Sequence, residues 1–127
     1  MKIFRINLEV SNLDEAAKFY AELLGIPGQR RPGSRHYFDI GGVILAVFDP
    51  TPGGIKPNPG AKSLYFAVDE LEPVHTRAKE LKALASFMVH GEPAGAIVRR
   101  PWGERSFYVT DPWSNELCFV QEGTLYT

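Results

Sequence analysis

Hydrophobic and polar residues alternate along residues 4–10, where four apolar side chains are separated by three polar ones. This period of two predicts a β-strand with one buried face. From Leu13 to Leu24 the apolar spacing becomes that of an amphipathic helix, with Asn12 as a candidate N-cap and Gly25 as a candidate C-cap. The chain is therefore predicted to begin with a strand followed by a helix.

The same order of strand and helix returns in the second half of the chain. An alternating segment around Phe66 precedes Asp69, a candidate cap, and an apolar helical stripe runs from Leu71 to Leu81. The short strands predicted after the two helices are Arg35–Ile40, Val43–Phe48, Ser86–His90, Arg105–Thr110 and Glu116–Gln121. The repetition predicts one α+β domain over residues 1–127. Its modules are expected at about residues 1–50 and 61–122, joined by a linker rich in proline and glycine at about residues 51–60.

Composition and charge limit the partners that the chain can have. Its 127 residues carry a net charge of -1, so the sequence provides no basic surface for nucleic acid or an anionic membrane. No apolar run approaches the roughly 20 residues of a membrane span. The one cysteine excludes an internal disulfide and fits a reducing compartment. We therefore expect a cytoplasmic protein that binds neither nucleic acid nor a membrane.

Side chains on the strand face away from the helices are candidates for a binding site, because successive strand residues point to opposite faces. In the two opening strands these residues are Arg5, Asn7, Glu9, Ser63, Tyr65 and Ala67. In the first hairpin, placing Leu45 on that face also places there Val43, Val47, Phe38 and His36. In the last hairpin the corresponding set is Ser106, Tyr108, Glu116, Cys118 and Val120. A slip of one residue in register would exchange the two faces.

Two strings in the sequence, PWGERSFYVTDPWSN at residues 101–115 and NLEVSNL at residues 7–13, carry a family resemblance. They resemble the vicinal-oxygen-chelate superfamily of glyoxalases, bleomycin and other antibiotic-resistance proteins, and extradiol dioxygenases. The resemblance implies two βαβββ modules that form an open eight-stranded cup, the glyoxalase/bleomycin resistance fold. It also implies a homodimer.

In metal-dependent members of that superfamily, four cup positions supply ligands to one divalent ion. Laid on this sequence, the four positions fall at Arg5, Leu45, Ser63 and Cys118. A catalytic divalent site needs three or more imidazole or carboxylate ligands, and this set has none. We therefore expect no metal and no other cofactor. One alternative stays open, a displaced set of Glu9, His36 and Glu116 that would suit zinc, iron or manganese.

The resemblance is greatest to the bleomycin-resistance type of binding protein, which shares a Pro-Trp-Gly-x-Arg loop and sequesters a ligand without metal chemistry. It implies that Trp102 is a lid or stacking platform, although Trp102 could equally anchor the end of the sheet. Four arginines could hold an anionic group of the ligand, because a guanidinium matches a carboxylate or phosphate. They are Arg5, Arg99, Arg100 and Arg105. The alternative is that they form surface ion pairs, Arg5–Glu9 or Arg105–Glu104.

The predicted function is metal-independent binding of a small organic molecule with an aromatic or anionic group. The predicted ligand-binding residues are Arg5, Asn7, His36, Phe38, Ser63, Tyr65, Trp102, Tyr108 and Cys118. Tyr108 would donate a hydrogen bond to the ligand, and Cys118 would be either a buried apolar residue or a nucleophile with His36 as its base. No catalytic residue is assigned. The alternatives are a glyoxalase- or dioxygenase-like lyase, isomerase or oxygenase, and an interaction module with a filled cup.

Overall fold

A computed structural model describes residues 1–60 and 63–127. The chain divides into two compact units, Met1–Gly60 and Ala61–Thr127, and the described part of each unit contains one α-helix and one four-stranded sheet. The predicted α+β fold with two modules is confirmed. Residues 61 and 62, the predicted start of the second module, lie outside the described residues. Neither helix in the described ranges is long and apolar enough to cross a membrane.

The first unit has four strands in the order β1-β4-β3-β2, with β1 parallel to β4 and the other pairs antiparallel. Its elements are β1 (Arg5–Glu9), α1 (Leu13–Leu24), β2 (Gln29–Arg31), β3 (Arg35–Ile40) and β4 (Val43–Phe48). The bounds predicted for β3 and β4 are confirmed. Strand β2 was not predicted, because its three residues are all polar and exposed and show no alternation.

Helix α1 has the two ends that the sequence predicts. The side chain of Asn12 accepts a hydrogen bond from the backbone N–H of Glu15 at 3.2 Å, which satisfies one amide of the first turn. At the other end, Gly25 adopts a φ of 73°, and its N–H donates to the carbonyl oxygen of Ala21. The helix buries a face that includes Tyr20 and Leu23 against the sheet.

The register of the first unit corrects the face predicted for its hairpin. Ile6 pairs with Leu45 and Leu45 pairs with Phe38, so these residues share the face that packs against α1. The ring of Tyr20 in α1 lies 6.3 Å from that of Phe38, which is fully buried. The prediction that Leu45, Phe38 and their neighbours face away from the helix is therefore wrong by one residue. The face away from α1 instead carries Arg5, Asn7, Glu9, Tyr37, Asp39, Ile44, Ala46 and Phe48.

The second unit has four strands in the order β5-β10-β9-β8, with β5 parallel to β10 and a separate two-stranded hairpin. Its elements are β5 (Leu64–Val68), α2 (Leu71–Glu80), β6 (Met88–Val89), β7 (Glu92–Pro93), β8 (Val98–Arg99), β9 (Arg105–Thr110) and β10 (Glu116–Gln121). Strands β9 and β10 have the predicted bounds. The strand predicted at Ser86–His90 is reduced to β6, which pairs with β7 and not with the main sheet.

In the second unit the predicted faces of the last hairpin are correct. Phe107 contacts His75 of α2 and stacks on Phe119, so this face packs under the helix. On the opposite face, Tyr108 and Cys118 are also buried. They pack in a cluster with Val120 and with residues of the preceding segment, Ala85, Phe87, Val89 and Ala94. The segment at residues 83–96 therefore covers part of a face that was expected to be open.

Gly28 provides a test of the packing in the first unit. Its φ is +64°, and a Cβ atom there would lie 2.7 Å from the carbonyl oxygen of Tyr37 and 2.8 Å from Nε2 of His36. We expect Gly28→Ala to lower the free energy of unfolding by about 1–3 kcal/mol, measured by chemical denaturation. The control is Gly53→Ala, because a Cβ at Gly53 meets open space. Equal stability of the two variants would contradict the packing described.

Candidate functional site

The second unit contains a pocket on the sheet face that carries Tyr65 and Ala67. Its volume is about 530 Å³, within the range that is usual for small-molecule sites. The side chains that define it are Tyr65, Trp102, Glu104, Val120, Leu125 and Tyr126. Three of these six are aromatic, and Tyr65 is 57% exposed. The pocket is therefore an open, mostly apolar cavity with one carboxylate in its wall.

Glu104 joins the two segments that form the rim of this pocket. Its Oε1 accepts a hydrogen bond from Nε1 of Trp102 at 2.6 Å, and its Oε2 accepts one from the backbone N–H of Tyr126 at 2.9 Å. The Glu104 side chain is buried, while the indole of Trp102 also meets the ring of His90 at 5.4 Å. Trp102 is thus held in one orientation at the edge of the pocket, and both predicted roles, stacking platform and anchor, are compatible with this position.

On the same sheet face, Tyr65 of the pocket forms a connected group with Tyr108 and Cys118. The hydroxyls of Tyr65 and Tyr108 are 3.5 Å apart, and their rings meet edge to face. Burial raises the pKa of the Tyr108 phenol far above its ordinary value of 10.0, and the hydrogen bond with Tyr65 raises it further. Burial also raises the pKa of the Cys118 thiol to about 11. Both shifts favour the protonated forms near neutral pH, which argues against Cys118 as a nucleophile.

Arg100 was expected near the mouth of a binding site, but it is buried in the interior. Its Nε donates to Oγ of Ser106 at 3.1 Å, and its Nη2 donates to the carbonyl oxygens of Ser106 and Ala94 at 3.2 and 3.3 Å. The guanidinium carbon lies 5.3 Å from the ring centre of Tyr108. Arg100 therefore ties the covering segment to the sheet, which is a structural role.

Arg99 and Arg105 are also engaged by protein groups. Arg99 donates to the carbonyl oxygen of Gly103 at 2.6 Å. Arg105 pairs with Glu72 at 2.7 Å, a contact that lowers the pKa of the Glu72 carboxyl, and with Gln121. The alternative pair Arg105–Glu104 is therefore wrong. The described residues that line this pocket include no arginine. The pocket therefore has no guanidinium that could hold an anionic group of a ligand.

The first unit has its own pocket, of about 430 Å³, built around Tyr37, Asp39 and Ile44. Nη1 of Arg5 donates to the hydroxyl of Tyr37 at 3.1 Å. The guanidinium carbons of Arg5 and Arg31 each lie 6.0 Å from the ring centre of Tyr37. The alternative pair Arg5–Glu9 is not formed, because Glu9 accepts from the backbone N–H of Asn58 and Arg5 contacts Tyr37. Arg5 and Arg31 form no ion pair in the described ranges, and Arg31 lines the pocket together with the carboxylate residue Asp39.

The remaining predicted ligand-binding residues lie on different sheet faces and in different units. Asn7 lies on the same sheet face as Arg5, and Ser63 directly precedes β5 with a φ of 60°. His36 and Phe38 lie on the opposite face, where Nε2 of His36 is 3.0 Å from the carbonyl oxygen of Pro27. These two residues are therefore not part of a site that contains Arg5, and their prediction is corrected.

The alternative metal site is not assembled either. His36 and Glu9 occupy opposite faces of the first sheet, so the set with Glu116 is wrong. On the face that carries Arg5, strand β4 presents the apolar side chains Ile44 and Ala46 in place of Leu45. Within residues 1–60 and 63–127 there is no group of three or more histidine, cysteine, aspartate or glutamate residues that could hold a metal ion.

Several residues that form the pockets were not predicted, and four of them matter for the chemistry. They are Arg31, Tyr37, Glu104 and Tyr126. Tyr37 would have been found with the opposite assignment of faces in the first hairpin. For Glu104 a signal existed, since an acidic residue two positions after a tryptophan can accept from the indole N–H. Tyr126 follows the last predicted strand, and no pattern in the sequence indicates where it lies.

The pKa of Cys118 leads to a prediction about stability at alkaline pH. The thiol of the unfolded chain ionises near 9.0, and the folded thiol ionises near 11, so stability falls as pH rises from 9 to 11. We expect Cys118→Ala to reduce this loss by about 2–3 kcal/mol, measured as the free energy of unfolding against pH. Ionisation of the Tyr108 phenol also lowers the free energy of unfolding at alkaline pH, and this part of the decrease remains in Cys118→Ala. An unchanged slope over this pH interval would contradict the buried, protonated thiol.

Comparison with known proteins agrees with the fold. The model of the Glyoxalase/Bleomycin resistance protein/Dioxygenase superfamily matches residues 2–119, and no curated protein matches the chain. Among solved structures, lactoylglutathione lyase from Agrobacterium tumefaciens is similar at 24% identity and a TM-score of 0.67, covering 95% of this chain and 93% of that one. Oxidase ChaP-H2 is similar at 21% identity and a TM-score of 0.75, covering 96% and 94%. A glyoxalase/bleomycin resistance protein from Albidiferax ferrireducens T118 has 20% identity and a TM-score of 0.72, covering 93% and 96%. The chain belongs to the glyoxalase/bleomycin resistance protein/dioxygenase superfamily.

Proposed function

We propose that this protein binds a small organic molecule with a planar aromatic part in the pocket of the second unit, without using a metal ion. The observation that carries the proposal is the 530 Å³ pocket with Trp102 fixed at its edge by Glu104. Tyr65 and Tyr126 add two further rings to the same cavity. A planar ligand can stack on such rings, and each stacked ring contributes about 1–3 kcal/mol.

The orientation of Trp102 favours binding over a purely structural role. Its indole N–H is already satisfied by Glu104, so a ligand can cover the ring without leaving a buried donor unpaired. A side chain that is held in its bound orientation also loses less conformational entropy when the ligand arrives. Tyr65, more than half exposed, leaves a second aromatic surface accessible on the sheet.

Metal independence is supported by the residues on the sheet faces. Near Arg5 the first sheet presents Ile44 and Ala46, which have no ligating side-chain atom, and the second sheet presents at Cys118 one buried thiol in place of an imidazole or carboxylate. The runner-up, a metal-dependent lyase, isomerase or oxygenase, was expected to use displaced ligands such as Glu9, His36 and Glu116, and Glu9 and His36 lie on opposite faces of the first sheet. Stoichiometric metal in protein purified without a His tag, or a large stabilisation by zinc, nickel, manganese or iron, would contradict the proposal.

The fluorescence of Trp102 can report binding in the pocket. The chain has two tryptophans, so Trp113→Phe leaves Trp102 as the only one. We expect that N-methylquinolinium, quinoline or naphthoate, used as planar probes, quenches the fluorescence of this variant in a saturable way, because a stacked ring contacts the indole. The control is Trp102→Phe, in which Trp113 should not respond. Quenching of Trp113 alone, or no quenching by any probe, would argue against the pocket.

The anionic group expected from the sequence is assigned to the first unit, where Arg5 and Arg31 flank Tyr37. We expect phthalate to raise the midpoint of thermal unfolding, and Arg5→Ala to weaken its affinity about tenfold or more, because a charge-assisted hydrogen bond is lost. The matched control is Arg35→Ala. Arg35 lies on the same sheet face but contacts Phe48 and Gly33 outside the pocket. Equal effects of the two substitutions would remove Arg5 from the proposed site.

Three further expectations stay predictions: the homodimer, the cytoplasmic location and a role in antibiotic resistance. Light scattering on the purified protein measures the first directly. A monomer at micromolar concentration would not affect the proposed pocket, because all the side chains that form it come from one unit of one chain.

A further inference from the structure

We infer that the pocket of the second unit takes its planar ligand as a cation, that is, as an aromatic ammonium or an N-alkylated heteroaromatic ring. The inference rests on the proposed function and specifies the class of ligand. It depends on the charge of the residues in the pocket wall. The shape of the pocket and its aromatic rings alone do not determine which charge the ligand carries.

The first observation is the environment of Glu104. Glu104 is one of the residues that line the pocket, and it is only 8% exposed. Both hydrogen bonds to its carboxylate come from neutral donors, the indole of Trp102 and the amide of Tyr126. The ion pairs among the described residues are Arg30–Asp14 and Arg105–Glu72, and neither includes Glu104. A buried carboxylate without a paired cation is costly, and a positively charged ligand would remove that cost.

The basic side chains nearest in sequence are directed elsewhere. The guanidinium of Arg100 donates to Ser106 and Ala94 and does not form part of the pocket wall. Arg105 extends to Glu72 and Gln121. Neither competes directly with a ligand for the carboxylate of Glu104.

The second observation is the aromatic wall. Tyr65, Trp102 and Tyr126 line the same cavity as the carboxylate. The face of an aromatic ring attracts a cation, so rings and carboxylate act on the ligand with the same sign. A carboxylate also has about four acceptor positions, of which two are used here, so Glu104 can accept a hydrogen bond from an ammonium N–H.

A purely structural Glu104 leads to a different expectation. If the carboxylate only holds Trp102 and Tyr126 in place, the pocket should bind planar molecules of similar size without regard to their charge. The two readings are therefore distinguished by a comparison of ligands, and not by the effect of a substitution on stability.

The experiment is calorimetric titration of the Trp113→Phe protein with N-methylquinolinium, quinoline and naphthoate at a pH where quinoline is neutral. We expect N-methylquinolinium to bind at least about tenfold more tightly than quinoline, and naphthoate to bind most weakly. Binding of quinoline with equal or greater affinity would overturn the inference and leave the proposed function standing. Binding of none of the three would contradict the proposed function, and the inference with it.

The matched variants are Glu104→Gln and Glu116→Gln. Glu116 lies in β10 outside the pocket. We expect Glu104→Gln to bring the ratio of the two affinities, N-methylquinolinium to quinoline, close to one, while Glu116→Gln leaves the ratio unchanged. A ratio that survives in Glu104→Gln would overturn the role of this carboxylate. Should that variant not fold, the ratio at low and high salt in the Trp113→Phe protein decides, since only a charge-based preference decreases with salt.

Discussion

The position of each candidate side chain depends on the register of two parallel strand pairs, β1 with β4 and β5 with β10. Each pair joins the first strand of a unit to its last, so the register is set over a long sequence separation. Once it is set, each residue either faces the helix or faces away from it, because the side-chain period is two. Arg5 beside Ile44, and Tyr65 beside Cys118, follow directly from these two registers.

In the second unit, a buried carboxylate holds the pocket together. Glu104 accepts from a side chain two residues before it and from a backbone amide 22 residues after it. Hydrogen bonds to a charged group contribute about 1.5–3 kcal/mol each, which offsets part of the desolvation of Glu104. The same contacts that orient Trp102 also bring the segment around Tyr126 to the pocket, so binding surface and local stability have a common origin.

The elements with a distinctive local pattern were predictable from the sequence, and the faces of the sheet were only partly so. In β9 the hydroxyl-bearing residues Ser106, Tyr108 and Thr110 share one face, Phe107 and Val109 lie on the other, and the predicted face was correct. In β4 all six residues are apolar, VILAVF, so the pattern is compatible with either face. The two glycines before β4 indicate that Ile40 pairs with Val43, but they do not indicate which side meets α1. Only the packing of Phe38 against Tyr20 decides which face meets α1, and these two residues are distant in the sequence.

The pocket was the least predictable part, because it is formed by loops and by the segment that follows the last strand. Residues 83–96 cover the sheet face over Tyr108 and Cys118 through contacts that no short-range pattern encodes. The same cover has a practical meaning for work with this protein. Its only sulfhydryl lies buried beneath the cover, so maleimides and other thiol-directed reagents have no exposed cysteine to attack in the folded chain. Samples should therefore keep without reductant, and maleimide labels can be directed to a cysteine introduced at any exposed position.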